Sequence, residues 1–198
     1  MDGDYAVFGA YGTGSGVGAA YVFQRSSGVW AQVQKVVPDG SSSSFGRAVS
    51  ISGTTFVAYG SGDDSKPGAV HIYGRTQGSW TLNQTLFSQT PQPQGYFGWA
   101  VSLDKNTLVV GAPNEDANSI TYAGNVYVYE RPDESSLFVL KKTLSGSVPN
   151  GVNGEFFGSS VAVQGDILAV GSSKSNRTGA VYAQQHRVLP VLGRVAGP

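Results

Sequence analysis

The sequence predicts an all-β chain of the β-propeller class, made of antiparallel four-stranded blades, and three observations predict it. A unit of constant design recurs, marked by a glycine at Gly18, Gly68, Gly124 and Gly179, with spacings of 50, 56 and 55 residues. Within each unit short β-type runs alternate with polar turns, and a period of this size with four strands per unit is that of a propeller blade. The composition agrees: 198 residues hold 28 Gly, 13 Lys plus Arg, 13 Asp plus Glu and 11% aromatics, which is turn-rich and poor in charge.

The first run of each unit is Phe45-Gly46-Arg47-Ala48-Val49-Ser50-Ile51, Phe97-Gly98 to Leu103, and Phe157-Gly158 to Val163. Its Phe, Val and final aliphatic residue fall at even spacing, which in a strand puts them on one face, toward the core. The second run (5–9, 55–59, 107–111 and 167–171) is almost continuously apolar, as a strand covered on both sides should be. The third run follows the marker glycine: Gly18-Ala19-Ala20-Tyr21-Val22-Phe23, Gly68-Ala69-Val70-His71-Ile72-Tyr73, Gly124-Asn125-Val126-Tyr127-Val128-Tyr129 and Gly179-Ala180-Val181-Tyr182-Ala183-Gln184. The fourth run follows a basic residue, Arg25, Arg75 or Arg131, and opens on an aromatic, Trp30, Trp80 or Phe138. Recurrence of that aromatic at one position argues for packing between blades rather than a sugar-stacking surface.

These runs place a propeller segment at 1–186, with blades at about 3–37, 45–87, 97–144 and 157–185, and a tail at 187–198 with no fourth run. The count is 14 strands, in two complete and two partial blades. A propeller avoids open edges by closing a ring, so the expectation is a fragment of a larger ring, with missing blades or self-association at its ends.

Zero formal net charge with scattered basic residues leaves no electrostatic footprint for nucleic acid. The absence of cysteine excludes disulfides, thiol nucleophiles and thiolate metal sites. No apolar run reaches the length of a membrane-spanning helix, so no membrane insertion is expected. Met1-Asp2-Gly3-Asp4 is not a signal peptide, which is uninformative in a chain expected to begin inside a blade.

Phe97-Gly98, a strand, then Gly111-Ala112-Pro113 make a motif that resembles the FG-GAP repeat of integrin alpha-subunit propellers; Phe45-Gly46 and Phe157-Gly158 keep its first half, and Gly171 keeps the glycine of the second. The resemblance covers roughly residues 3–185. It implies a propeller, usually seven-bladed, in an extracellular or cell-surface protein that binds proteins or matrix through loops on one face. Calcium-binding members carry an Asp-rich loop between the first and second strands. Here those connections are Ser52-Gly53-Thr54, Asp104-Lys105-Asn106 and Gln164-Gly165-Asp166, each with at most one carboxylate, so no calcium is expected there.

All long connections fall on one end of the blades, since strand direction alternates: the second-to-third loops and the inter-blade loops share it. Asn114, Glu115, Asp116, Asn118 and Tyr122, with Asp63, Asp64 and Lys66, are the candidate ligand-facing residues. The pairs Asp63-Asp64 and Glu115-Asp116 are weak metal candidates, because neighbouring side chains tend to point apart and the equivalent loops of other units lack acids. His71 stands where other units have tyrosine and reads as a packed residue rather than a base, and no nucleophile has a suitable context. The glycine-rich stretch 12–18 leads into a strand, not a helix, and lacks Gly-Lys-Ser/Thr, which argues against phosphate. Sequons at Asn83 and Asn176 matter only in a eukaryotic secretory route. The expectation is a non-enzymatic binding or adhesion module for protein or glycan, without a cofactor. The alternatives are a structural spacer, or a propeller accompanying a catalytic domain elsewhere.

Overall fold

The structure is a computed structural model that describes residues 1–38, 43–61, 67–146, 154–173, 179–185 and 193–195. Among the described residues fifteen strands form four antiparallel sheets, each with its strands in chain order. The first sheet holds β1 (Tyr5–Gly9), β2 (Ala20–Ser26) and β3 (Val29–Val36). The second holds β4 (Val49–Ser52), β5 (Thr55–Ser61), β6 (Gly68–Thr76) and β7 (Ser79–Phe87). The third holds β8 (Ala100–Asp104), β9 (Thr107–Ala112), β10 (Asn125–Glu130) and β11 (Val139–Ser145). The fourth holds β12 (Phe157–Gln164), β13 (Ile167–Ser172), β14 (Ala180–Gln185) and β15 (Gly193–Val195). These are propeller blades.

Three local expectations change. The stretch 187–198, expected to lack a fourth run, supplies β15, which pairs with β14 through Val181 and Val195; with three residues and no aromatic opener it carries none of the cues of the other fourth runs. In the first and second sheets the connection between third and fourth strands is tighter than the spacing from Arg to aromatic implies, whereas in the third it runs from 131 to 138. Ser27-Gly28 and Gln77-Gly78 make two-residue hairpins with both residues at positive φ, because strand pairing runs on to Ser26–Val29 and Thr76–Ser79. Phe45-Gly46 and Phe97-Gly98 precede β4 and β8 rather than belonging to them, and in β12 the register shifts between Phe157 and Ser160. The cause is backbone conformation: Gly46, Gly98 and Gly158 sit at φ 83°, 98° and 89°, and the preceding Ser44, Tyr96 and Phe156 at 57°, 55° and 54°, which is incompatible with a straight strand. The kink nevertheless drives each Phe into the core, where Phe45, Phe97 and Phe157 are all buried.

Consecutive sheets stack face to face, and three apolar clusters fill the interfaces. Between the first and second sheets lie Ala20 and Val22 against Phe45, Phe56, Tyr73 and Trp80. Between second and third, Val57, Val70 and Ile72 meet Phe97, Leu108, Tyr129 and Phe138. Between third and fourth, Val109, Val126 and Val128 meet Phe157, Leu168 and Val170. Each sheet therefore has a leading face rich in aromatics and a trailing face of branched aliphatics. The marker glycine is required by this stacking: a Cβ on Gly68 would lie 2.1 Å from the carbonyl oxygen of Phe97, and one on Gly124 would lie 2.2 Å from that of Phe157.

Polar links repeat with the same period. Gln34 bonds both backbone N–H and C=O of Trp80 at 2.8 Å, and Gln84 does the same to Phe138 at 2.9 Å, so one sheet clamps the aromatic opener of the next. Along the innermost strands, Ser50 Oγ accepts from the Leu103 N–H and Ser102 Oγ from the Val163 N–H, each at 3.0 Å. At the turns, Asp2, Ser52 and Asp104 accept from the N–H groups of Gly53, Lys105 and Gly165 at 2.6, 3.0 and 2.6 Å. The basic residue before each opener packs on an aromatic ring: Arg25 over Trp30 at 5.7 Å, Arg75 over Tyr5 at 4.3 Å and Arg131 over Phe138 at 4.5 Å.

Candidate functional site

The long connections of the third sheet and its neighbours are knitted into one surface. The β9–β10 loop meets the loop before β8 where Gln92 accepts from the Asp116 N–H at 2.8 Å and donates to the Asp116 C=O at 3.4 Å. It meets the segment before β12 where Gly154 N–H donates to the Thr121 C=O at 3.0 Å and Phe156 N–H to the Tyr122 C=O at 3.1 Å. Asp116 Oδ1 accepts from the Tyr122 N–H at 2.9 Å, and the Tyr122 and Phe156 rings stack at 5.7 Å with 14° between planes. Asn118, Ser119 and Tyr122 have φ of 52°, 64° and 55°. Asn tolerates this region, whereas a bulky aromatic does so only when its surroundings impose it. Tyr122, Asp116 and Asn118 are exposed, and Asn114 is half-buried. In the segment before β8, Trp99 meets Tyr96 at 5.0 Å and Arg47 lies 3.1 Å over the Trp99 ring; that aromatic cluster was not singled out from sequence.

Glu115 behaves differently. Its carboxylate is buried, not ligand-facing: Oε2 accepts from Tyr127 OH at 2.5 Å and Asn125 Nδ2 at 2.9 Å, while Oε1 is buried without a partner among the described residues. Ser88 Oγ lies 3.0 Å from Tyr127 OH, which closes the network. Burial pushes the Glu115 carboxyl above its ordinary value, opposed by hydrogen bonds from Ser88, Tyr127 and Asn125. The Tyr127 hydroxyl is pushed up to about 12, first by burial and then by the neighbouring Glu115. Glu115 and Asp116 thus point in opposite directions and make no joint metal site. Among the described residues no three metal-ligating side chains converge. Asp63, Asp64 and Lys66 lie outside the described residues.

The fourth sheet solves the same problem from another loop. Tyr182, at the position of Tyr127, donates to Glu155 Oε1 at 2.6 Å, and Glu155 is also buried, its second oxygen without a partner among the described residues. Glu155 comes two residues before Phe157; the corresponding residue before Phe97 is Gly95, where a Cβ would stand 2.9 Å from Glu115 Cγ. Gly95 leaves the room that Glu115 fills. In the second sheet the position is His71, half-buried with its ring 5.6 Å from Phe45 and Nδ1 3.2 Å from Thr85 Oγ1, which agrees with a packed residue. Its Nε2 is buried and has no partner among the described residues, and burial lowers its pKa.

The repeat carrying Phe97-Gly98 and Gly111-Ala112-Pro113 falls within residues 80–129, and Phe157-Gly158 and Gly171 fall within residues 148–183; both segments match the FG-GAP repeat. The chain carries FG-GAP repeats. No curated protein matches its sequence. Among solved structures, this chain is similar to the Penicillium chrysogenum alpha-L-arabinanase complexed with arabinobiose, at 11% identity and a TM-score of 0.45. The match covers 91% of the FG-GAP chain, which spans 56% of that enzyme.

Proposed function

We propose that this FG-GAP propeller is an extracellular, non-enzymatic binding module that recognises a protein or a glycan through its long-loop face. The supporting observation is the knitted surface of Gln92, Asp116, Tyr122 and Phe156: backbone and side-chain bonds fix three loops together and leave an aromatic ring exposed beside amide and carboxylate groups. Such a rigid amphipathic group is what anchors a partner at low entropic cost. An extracellular setting agrees with where FG-GAP repeats mostly occur. The test is a screen of the purified chain on a glycan array and an extracellular-protein array, repeated with Tyr122→Ala and Asn118→Ala. Hits that weaken about tenfold or more in either variant support the reading; hits indifferent to both, or none, overturn it. Point variants are preferable to replacing 112–123, since that segment carries the buried Glu115.

A further inference from the structure

The first sheet bears a leading face built like those of the second and third but left uncovered by the described residues. Strand register fixes the equivalences: Ala6 and Phe8 on β1 pair with Phe23 and Tyr21 on β2, as Phe56 and Ala58 pair with Tyr73 and His71, and as Leu108 and Val110 pair with Tyr129 and Tyr127. Trp30 opposes Arg25 as Trp80 opposes Arg75. In the second and third sheets this face is sealed, with Trp80 2% and Phe138 3% exposed. In the first sheet Trp30 is 37% and Phe8 58% exposed, and Ala6, Phe8, Tyr21, Phe23 and Trp30 line, with Met1, an apolar cleft of about 560 Å³.

The fourth sheet shows the complement. Its trailing face carries Val181 at the position of Val70 and Val126, and Ala169 at that of Val57 and Val109. Val70 and Val126 are fully buried under the next sheet, while Val181 is 52% exposed and Ile167 59%. Each sealed interface in the molecule joins one trailing face of this type to one leading face.

We propose that the leading face of the first sheet docks the trailing face of the fourth sheet of a second copy of this chain, extending the sheet-to-sheet stacking from one molecule to the next. The contact is head-to-tail, so two copies that close on each other make a ring of eight sheets, within the size range of propellers, and copies that do not close make longer chains.

Sedimentation velocity or light scattering over a range of concentration tests this with the full chain. The expected result is a dimer or larger species whose share grows with concentration. Phe8→Glu, on the leading face, and Val181→Glu, on the trailing face, should each be monomeric alone. An equimolar mixture of the two should recover a one-to-one dimer, because each variant keeps the surface the other has lost. Both substitutions are at exposed positions, and circular dichroism spectra matching wild type establish that they fold. A wild-type monomer at every concentration, association that survives either substitution, or a mixture that stays monomeric overturns the proposal; the first would leave the face to a blade from elsewhere.

Discussion

The second and third sheets face the same packing problem at the same place and solve it with opposite chemistry. In each, a Phe from the kinked Phe-Gly lies against the fourth residue of the third run: Phe45 against His71, and Phe97 against Tyr127, at 5.6 and 5.3 Å between ring centres. Tyr127 turns its hydroxyl to a buried acid and ties the β9–β10 loop to the strand. His71 binds only Thr85 and keeps its other nitrogen bare among the described residues. The aromatic contact is thus the common element, while the polar half is local and sets how each sheet responds to its surroundings.

The largest effect tests the shared half. Phe97→Ala and Phe45→Ala should each cost about 3–5 kcal/mol in urea unfolding, since each empties a fully buried site with tight neighbours. If one were tolerated, the two sheets would not share a common floor.

A smaller effect separates them. Tyr127→Phe removes the 2.5 Å donor of the buried Glu115 carboxylate and should cost about 1–3 kcal/mol, with faster amide exchange at Tyr122 and Gly124. His71→Phe removes a single half-buried bond to Thr85 and should cost about 1 kcal/mol or less. Equal costs would show that the buried acid does not anchor its loop.

The smallest effect is in pH, where the sheets should move in opposite directions. Glu115 is raised above its ordinary 4.5 by burial, so the unfolded chain loses this proton first, and its contribution to stability falls as pH climbs from about 4.5 to the folded value. His71 is lowered from 6.5 by burial, so the unfolded chain gains the proton first, and stability falls as pH drops below about 6.5. Thermal melts between pH 4 and 8 should show Glu115→Gln gaining on wild type toward neutrality and His71→Phe gaining toward acid. Parallel profiles for the two variants would remove the distinction.

The strands were legible because each carries its burial in its composition: β9 is buried along its whole length and apolar from Leu108 on, and Ile51, Leu103 and Val163 close the first runs on the core side as their spacing implied. The marker glycines were legible as a repeat, though the reason for Gly18, Gly68 and Gly124, a carbonyl of the next sheet arriving within about 2 Å of a Cβ, exists only in the stacked state. The buried acids were not legible. Glu115 and Glu155 sit in polar loops that read as surface, and they reach equivalent tyrosines from 12 residues before and 27 residues before, so no repeat spacing relates them. β15 escaped for a simpler reason: three residues without an aromatic carry no periodicity.

The turn-to-turn links of the innermost strands bear on how such an array is inherited. In each, the acceptor is a short oxygen-bearing side chain, Asp2, Ser52 or Asp104, and the donor is a peptide N–H, which every residue but proline provides. A unit that keeps one small polar residue at that corner can therefore make this link with any successor that does not place proline there. The corner is the one part of the joint that asks nothing of the successor's side chains, in contrast to the glycine, the clamped aromatic and the apolar cluster, which must be matched on both sides.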